Sequence, residues 1–141
     1  MFYKLLAVFI GGGGGALLRY GAALLAGRCW GSGLPGTFAV NMIGCLAIGA
    51  LYGAAEGRWA LSDELRLFIA VGMLGALTTF STLNWEIFAL LRSGRIGCAA
   101  LYFLLSATLG LLCTGAGYFL THPRGDAFES TNAPAESTND E

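Results

Sequence analysis

The sequence has 141 residues, of which 55% are hydrophobic and 12% are charged, and its mean hydropathy is +0.64. A soluble domain usually carries about a quarter charged residues, so this composition predicts a membrane protein. The net charge is -1, but five of the acidic residues lie in the last sixteen positions. Without a basic patch interleaved with aromatic residues, the sequence gives no support to a nucleic-acid-binding protein.

Four apolar segments are long enough to cross a bilayer, which takes about 20 residues of helix. They lie at about residues 5–27, 37–57, 65–91 and 97–121. We therefore predict an all-α membrane protein whose residues 1–121 form one domain of four transmembrane helices. Residues 122–141 are rich in Ser, Thr, Asn, Pro and acidic side chains, which predicts a disordered acidic tail.

Glycine repeats mark the first two spans. The first contains five consecutive glycines in FIGGGGGALLRY, residues 9–20, with Gly11 and Gly15 four positions apart. In the second span, Gly49, Gly53 and Gly57 recur with the same spacing. A small residue at every fourth position lets helix backbones approach closely, so these faces are predicted to pack against other helices.

Two further polar residues in these spans are candidates for function. Arg19 is an ionisable residue within the first span, and such residues usually mark a functional site. Asn41 lies in GTFAVNMIG of the second span, where its amide suits either an interhelical hydrogen bond or a pore that admits an anion.

The third span carries an unusual density of polar side chains in GALTTFSTLNWE. They are Thr78, Thr79, Ser81, Thr82, Asn84 and Glu86. Glycines followed by two β-branched threonines weaken a helix, and irregular backbone at membrane depth persists only where protein, a cavity or an ion covers it. We predict a break near residues 75–79, whose freed carbonyls hold a cation such as Na⁺ and whose half-helix ends face an anion.

The fourth span presents hydroxyl groups along one helix face. Tyr102, Ser106, Gly110 and Thr114 follow each other at intervals of four, so the glycine leaves a gap in the row. Hydroxyls donate hydrogen bonds without a fixed charge, which suits conduction of an anion better than its tight binding. The sequence has one histidine and no Walker, HExxH or Ser/His/Asp motif, so we predict that it is not an enzyme.

Positive charges are nearly balanced between the two sides of the predicted domain. The side of both termini has Lys4, Arg58, Arg66 and Arg124, and the opposite side has Arg28, Arg92 and Arg95. A protein with one fixed orientation normally carries a clear excess on the cytoplasmic side. The balance predicts insertion in both orientations and an antiparallel homodimer in the lipid bilayer.

Three of these stretches, GGGGALLRY, GTFAVNMIG and GMLGALTTFST, resemble the signature motifs of the Fluc family of bacterial fluoride channels, also called CrcB. They occur in the right order, and the resemblance covers about residues 5–121. It implies a multi-pass, dual-topology dimer in the bacterial cytoplasmic membrane, with two fluoride pathways and a central structural Na⁺. The implied function is passive export of fluoride, which lowers its toxicity.

The resemblance also implies roles for individual residues. Backbone oxygens of Gly75 and Thr78 match those that hold Na⁺, and Phe80 matches a phenylalanine whose positive ring edge faces fluoride. The remaining residues implied for the fluoride pathway are Asn41, Ser81, Thr82, Leu83, Tyr102, Ser106 and Thr114. Arg19 and Glu86 are expected at a vestibule. In the glycine run, Gly12 and Gly15 match the family motif and are expected to pack, whereas Gly13 and Gly14 are incidental.

The sequence departs from the family pattern at two positions. Leu83 stands where a second pore phenylalanine is usual, and Gly110 stands where a serine can occur. Leucine has no polar ring edge, so either one aromatic edge per pathway suffices or the throughput is reduced. Two alternatives to a channel are a small multidrug-type exporter, which needs a carboxylate in its first span, and a membrane assembly subunit that transports nothing.

Overall fold

Four helical spans form the part of the chain that the computed structural model describes, residues 1–56 and 61–122. Helix α1 (Phe2–Trp30) and helix α2 (Leu34–Ala55) are followed by a third span over Asp63–Arg92, and helix α6 (Ile96–Thr121) ends the bundle. All four are long and apolar enough to cross a membrane, which confirms the predicted fold class. Gly57, Arg58 and the predicted tail beyond His122 lie outside the described residues.

The third span is interrupted, as predicted. It consists of α3 (Asp63–Arg66), a π-helical segment (Leu67–Leu74), α4 (Gly75–Leu77) and α5 (Phe80–Arg92). Thr78 and Thr79 between α4 and α5 have extended backbones, with φ/ψ of -78°/150° and -150°/114°. The π-helical turn was not predicted.

Glycines of α1 bring this helix into backbone contact with the third span. A Cβ at Gly11 would overlap the Phe68 carbonyl, and a Cβ at Gly15 would overlap the Met73 carbonyl. The same addition at Gly12, Gly13 or Gly14 meets nothing within 4 Å in the described chain. The expectation for Gly15 is thus confirmed. At Gly12 the backbone nitrogen lies near Gly72, but a side chain would point into open space, because Gly11 is the residue that shares the face of Gly15 one helical turn away.

The second close contact joins α2 to α6. A Cβ at Gly49 would overlap the Thr114 carbonyl, and one at Gly53 would overlap the Tyr118 carbonyl. In the opposite direction, Gly117 of α6 lies against the Leu46 carbonyl of α2. The glycine spacing in the sequence therefore predicted this interface correctly, since backbones this close leave no room for side chains.

Candidate functional site

The break in the third span is held by Asn41 of α2. The Thr79 N–H donates to Asn41 Oδ1 at 2.9 Å, and Asn41 Nδ2 donates to the Thr79 carbonyl at 3.4 Å. One amide side chain thus satisfies both backbone groups of a residue that has left the helix. Because the Thr79 N–H is turned toward Asn41, the Gly75 carbonyl lacks the donor that a continuous helix would give it.

Thr78 is fixed in the break by two contacts. Its backbone N–H and its Oγ1 both donate to the Leu74 carbonyl, each at 3.0 Å. Its Cγ2 methyl fits against Gly44 of α2, where a Cβ would overlap that methyl. The glycine of the VNMIG stretch is therefore required by the shape of the break.

Hydroxyl side chains form a cluster at the start of α5, on the other side of the break. Thr79 Oγ1 caps the helix by accepting from the Thr82 N–H at 3.2 Å. The same hydroxyl donates to Thr82 Oγ1 and pairs with Ser81 Oγ, both at 3.1 Å. Thr79 is buried, and it was not among the residues assigned a role from the sequence. A threonine immediately before a new helical run was the available signal for this cap.

The break frees the Gly75 carbonyl from the hydrogen bond that a continuous helix would give it. Gly75 is exposed in the single chain, and its carbonyl and that of Thr78 are the oxygens predicted to hold Na⁺. Carbonyl oxygens of unwound membrane helices are suitable ligands for such a cation. Within residues 1–56 and 61–122, no group of three or more His, Cys, Asp or Glu side chains is arranged to bind a metal.

A cavity of about 390 Å³ lies beside the break, between α2, the third span and α6. Six residues with a predicted function line it: Asn41, Gly75, Thr78, Phe80, Leu83 and Ser106. The ring of Phe80 is 73% exposed, whereas Leu83 is 7% exposed. The structure thus brings Asn41 of the second span, Phe80 and Leu83 of the third and Ser106 of the fourth to the same cavity.

Ser106 lines this cavity, and its hydroxyl group is unpaired within the described chain. The side chain is 9% exposed, and its Oγ has no hydrogen-bond partner among the described residues. Buried hydroxyls are normally hydrogen-bonded, because leaving one unpaired costs about 1–3 kcal/mol. Ser106 therefore supplies an unused hydrogen-bond donor in the wall of this cavity.

Glu86 belongs to a second, separate cavity of about 310 Å³ near the connection between α1 and α2. Its Oε1 accepts from Thr37 Oγ1, and its Oε2 accepts from the Tyr102 hydroxyl, both at 2.7 Å. The carboxylate therefore links α2 and α6 through α5. Thr37 was not predicted as a site residue, since nothing in its local sequence reveals a partner 49 residues away.

The other candidate residues lie away from the first cavity. Ser81 and Thr82 belong to the hydroxyl cluster, and Tyr102 is engaged by Glu86. Thr114 Oγ1 donates to the Gly110 carbonyl of its own helix at 3.1 Å. Arg19 is half-buried on α1 and lines neither cavity.

Fold and site together define a multi-pass membrane protein of four spans with a polar break beside a cavity. A family model described as "CrcB-like protein, Camphor Resistance (CrcB)" matches residues 6–118. The chain belongs to this CrcB family, as its motifs indicated.

Individual relatives are similar over most of their length. A protein of Roseiflexus sp. (strain RS-1) named "Fluoride-specific ion channel FluC" is 44% identical over 118 residues, which cover 83% of this chain and 92% of the relative. A protein of the same name from Thermus thermophilus is 47% identical over 119 residues, covering 83% and 94%. One from Bacteroides fragilis is 44% identical over 121 residues, covering 83% and 94%. These names describe ion channels, which confirms the prediction that the chain is not an enzyme.

Proposed function

We propose that the protein is a fluoride-selective channel that lets fluoride leave the cytoplasm passively and so lowers its toxicity. The relatives are named fluoride-specific ion channels, and the chain covers nine-tenths or more of those compared above. The observation that carries the proposal is the unpaired hydroxyl of Ser106 in the cavity beside the break. An O–H donor in an apolar, buried setting favours a small anion that accepts hydrogen bonds.

The proposed pathway runs along this cavity. Phe80 would present its positive ring edge to the anion, and Asn41 has a second amide N–H beyond the one it gives to Thr79. Ser81, Thr82, Tyr102 and Thr114 are proposed to continue the polar lining above and below. Leu83 would contribute an apolar wall where a second aromatic edge is usual.

Two copies in antiparallel orientation would complete the channel, with two pathways per dimer. At membrane depth, one chain alone leaves the Gly75 backbone, the Phe80 ring and the Ser81 hydroxyl exposed. Exposed polar backbone at this depth requires a protein cover, and a second copy supplies the same break in the opposite direction. A structural Na⁺ held by the Gly75 and Thr78 carbonyls of both copies would then stabilise the centre of the dimer.

Charged residues are proposed to lie at the entrances. The two Glu86 oxygens accept hydrogen bonds from Thr37 and Tyr102. The second cavity, which Glu86 lines, would then form a vestibule. Arg19 would attract the anion toward a water-filled entrance. We place the protein in the bacterial cytoplasmic membrane, because hydrofluoric acid crosses membranes as a neutral molecule and ionises in the cytoplasm. The inside-negative potential drives fluoride out by about 2.3 kcal/mol per 100 mV.

Efflux from liposomes tests the function. Vesicles containing the purified protein are loaded with potassium fluoride or potassium chloride, and valinomycin allows potassium to follow the anion. A halide electrode should record rapid fluoride loss and no chloride loss above that of protein-free vesicles. Absence of fluoride efflux would refute the channel.

The same vesicles distinguish the channel from an exporter. A small multidrug-type exporter exchanges protons for substrate through a carboxylate in its first span, and α1 contains no Asp or Glu. We therefore expect an imposed pH gradient not to drive uptake of a cationic dye. Proton-driven dye uptake without fluoride efflux would favour the exporter instead.

A further inference from the structure

The row of hydroxyls on α6 has a gap at Gly110, and a thiol of α2 lies opposite that gap. Ser106 and Thr114 flank Gly110 by one helical turn on either side. A Cβ built at Gly110 would stand 3.4 Å from Cys45 Sγ and 3.7 Å from Met42 Cε. The sulfur of Cys45 is therefore the nearest neighbour of the position where α6 lacks a side chain.

Cys45 also lines the 390 Å³ cavity together with Ser106. The two residues come from facing helices, since α2 and α6 are in backbone contact at Gly49 and Thr114. Cys45 is half-buried, and its thiol has no hydrogen bond within the described parts of the chain. The wall of the cavity thus carries two unpaired donors, the Ser106 hydroxyl and the weaker Cys45 S–H.

The other hydroxyls of the row are already engaged. Tyr102 donates to Glu86, and Thr114 donates to the Gly110 carbonyl. Gly110 offers no side chain and does not line the cavity, whereas Cys45 opposite it does. From this arrangement we propose that Cys45 is a fluoride-contacting residue, whose S–H supplies the donor missing at Gly110 and whose modification closes the pathway.

This inference rests on the proposed function, and it makes the channel sensitive to small thiol reagents. Methyl methanethiosulfonate converts the thiol to a methyl disulfide: the cysteine sulfur bonds to the S-methyl sulfur, methanesulfinate leaves, and one proton is released. The added methylthio group would fill space beside Ser106. Cys113 of α6 is the matched control, because it is also half-buried but does not line the cavity.

The test uses a protein whose remaining cysteines are replaced, C29S, C98S and C113A, so that Cys45 is the single thiol. Fluoride efflux from liposomes is measured before and after the reagent, and the same treatment is applied to C45A and to a protein that retains only Cys113. We expect the reagent to reduce efflux at least about tenfold only when Cys45 is present. Without reagent, we expect C45A to lose about threefold in efflux and C45S to retain it. Unchanged efflux with fully modified Cys45 would overturn the inference.

A second measurement is independent of flux. The rate of Cys45 labelling is followed by mass spectrometry in sodium fluoride and in sodium chloride of equal concentration. Fluoride should slow the labelling of Cys45 but not of Cys113, whereas equal rates in the two salts, or no labelling of Cys45, would contradict the assignment. A protein that shows fluoride protection without efflux would disprove the channel and leave the binding residue in place. A protein that shows efflux without fluoride protection would leave the channel in place and disprove the assignment of Cys45.

Discussion

Removing the Asn41 side chain should destabilise the protein more than removing an exposed side-chain hydrogen bond of the third span. Asn41→Ala leaves the N–H and the carbonyl of Thr79 unpaired in a buried position, where Thr79 is 7% exposed. Each unsatisfied backbone group costs about 1–3 kcal/mol, so the free energy of unfolding should fall by about 2–6 kcal/mol. Asn41→Asp keeps an acceptor for the Thr79 N–H but loses the donor to the Thr79 carbonyl. Its free energy of unfolding should lie between that of the unmodified protein and that of Asn41→Ala.

Asn84→Ala is the matched control. Asn84 Nδ2 donates to the Phe80 carbonyl at 2.8 Å, but this bond is exposed, and its loss should cost about 1 kcal/mol or less. Unfolding of the purified proteins in one detergent, followed by helical circular dichroism against a denaturant, gives both values. Equal losses for Asn41→Ala and Asn84→Ala would refute the view that Asn41 holds the break.

Other perturbations give distinct outcomes. Gly15→Ala should cost about 1–3 kcal/mol through overlap with the Met73 carbonyl, whereas Gly14→Ala, which meets open space, should not destabilise; equal effects on the thermal midpoint would disprove the α1 contact. Glu86→Ala should lower the unfolding free energy by about 2 kcal/mol and Glu86→Gln by less. The reverse order would show that the hydrogen bonds accepted from Thr37 and Tyr102 do not stabilise the fold. Leu83→Phe should raise fluoride efflux if the missing ring edge limits conduction, and equal or lower efflux would show that leucine suffices. Replacing Na⁺ by a larger organic cation should weaken the dimer on size-exclusion chromatography, and no change would rule out the proposed ion.

The extent of the spans and the position of the break could be read from the sequence because both depend on local chemistry. Apolar length sets a span, and glycine followed by Thr78 and Thr79 disfavours a continuous helix. The rotational orientation of α1 was harder to predict. In a run of five glycines every face is small, so only the structure shows that a side chain at Gly11 or Gly15 would overlap the third span while one at Gly12 would not.

Contacts between residues far apart in the sequence could not be predicted. The sequence marked Asn41 and Glu86 as polar residues in apolar spans, but it could not show that their partners are Thr79, Thr37 and Tyr102. These pairings depend on how helices that are far apart in sequence are placed side by side. The π-helical segment could not be predicted either, because no residue type in LFIAVGML distinguishes it from an ordinary helix.

The most direct test of the central claim is the reversal potential across a planar bilayer that contains the purified protein, with fluoride on one side and chloride on the other. A fluoride-selective channel should carry current whose reversal potential approaches the equilibrium potential for fluoride. It should carry no measurable current when chloride replaces fluoride on both sides. A reversal potential near zero, or no current at all with fluoride present, would contradict the account.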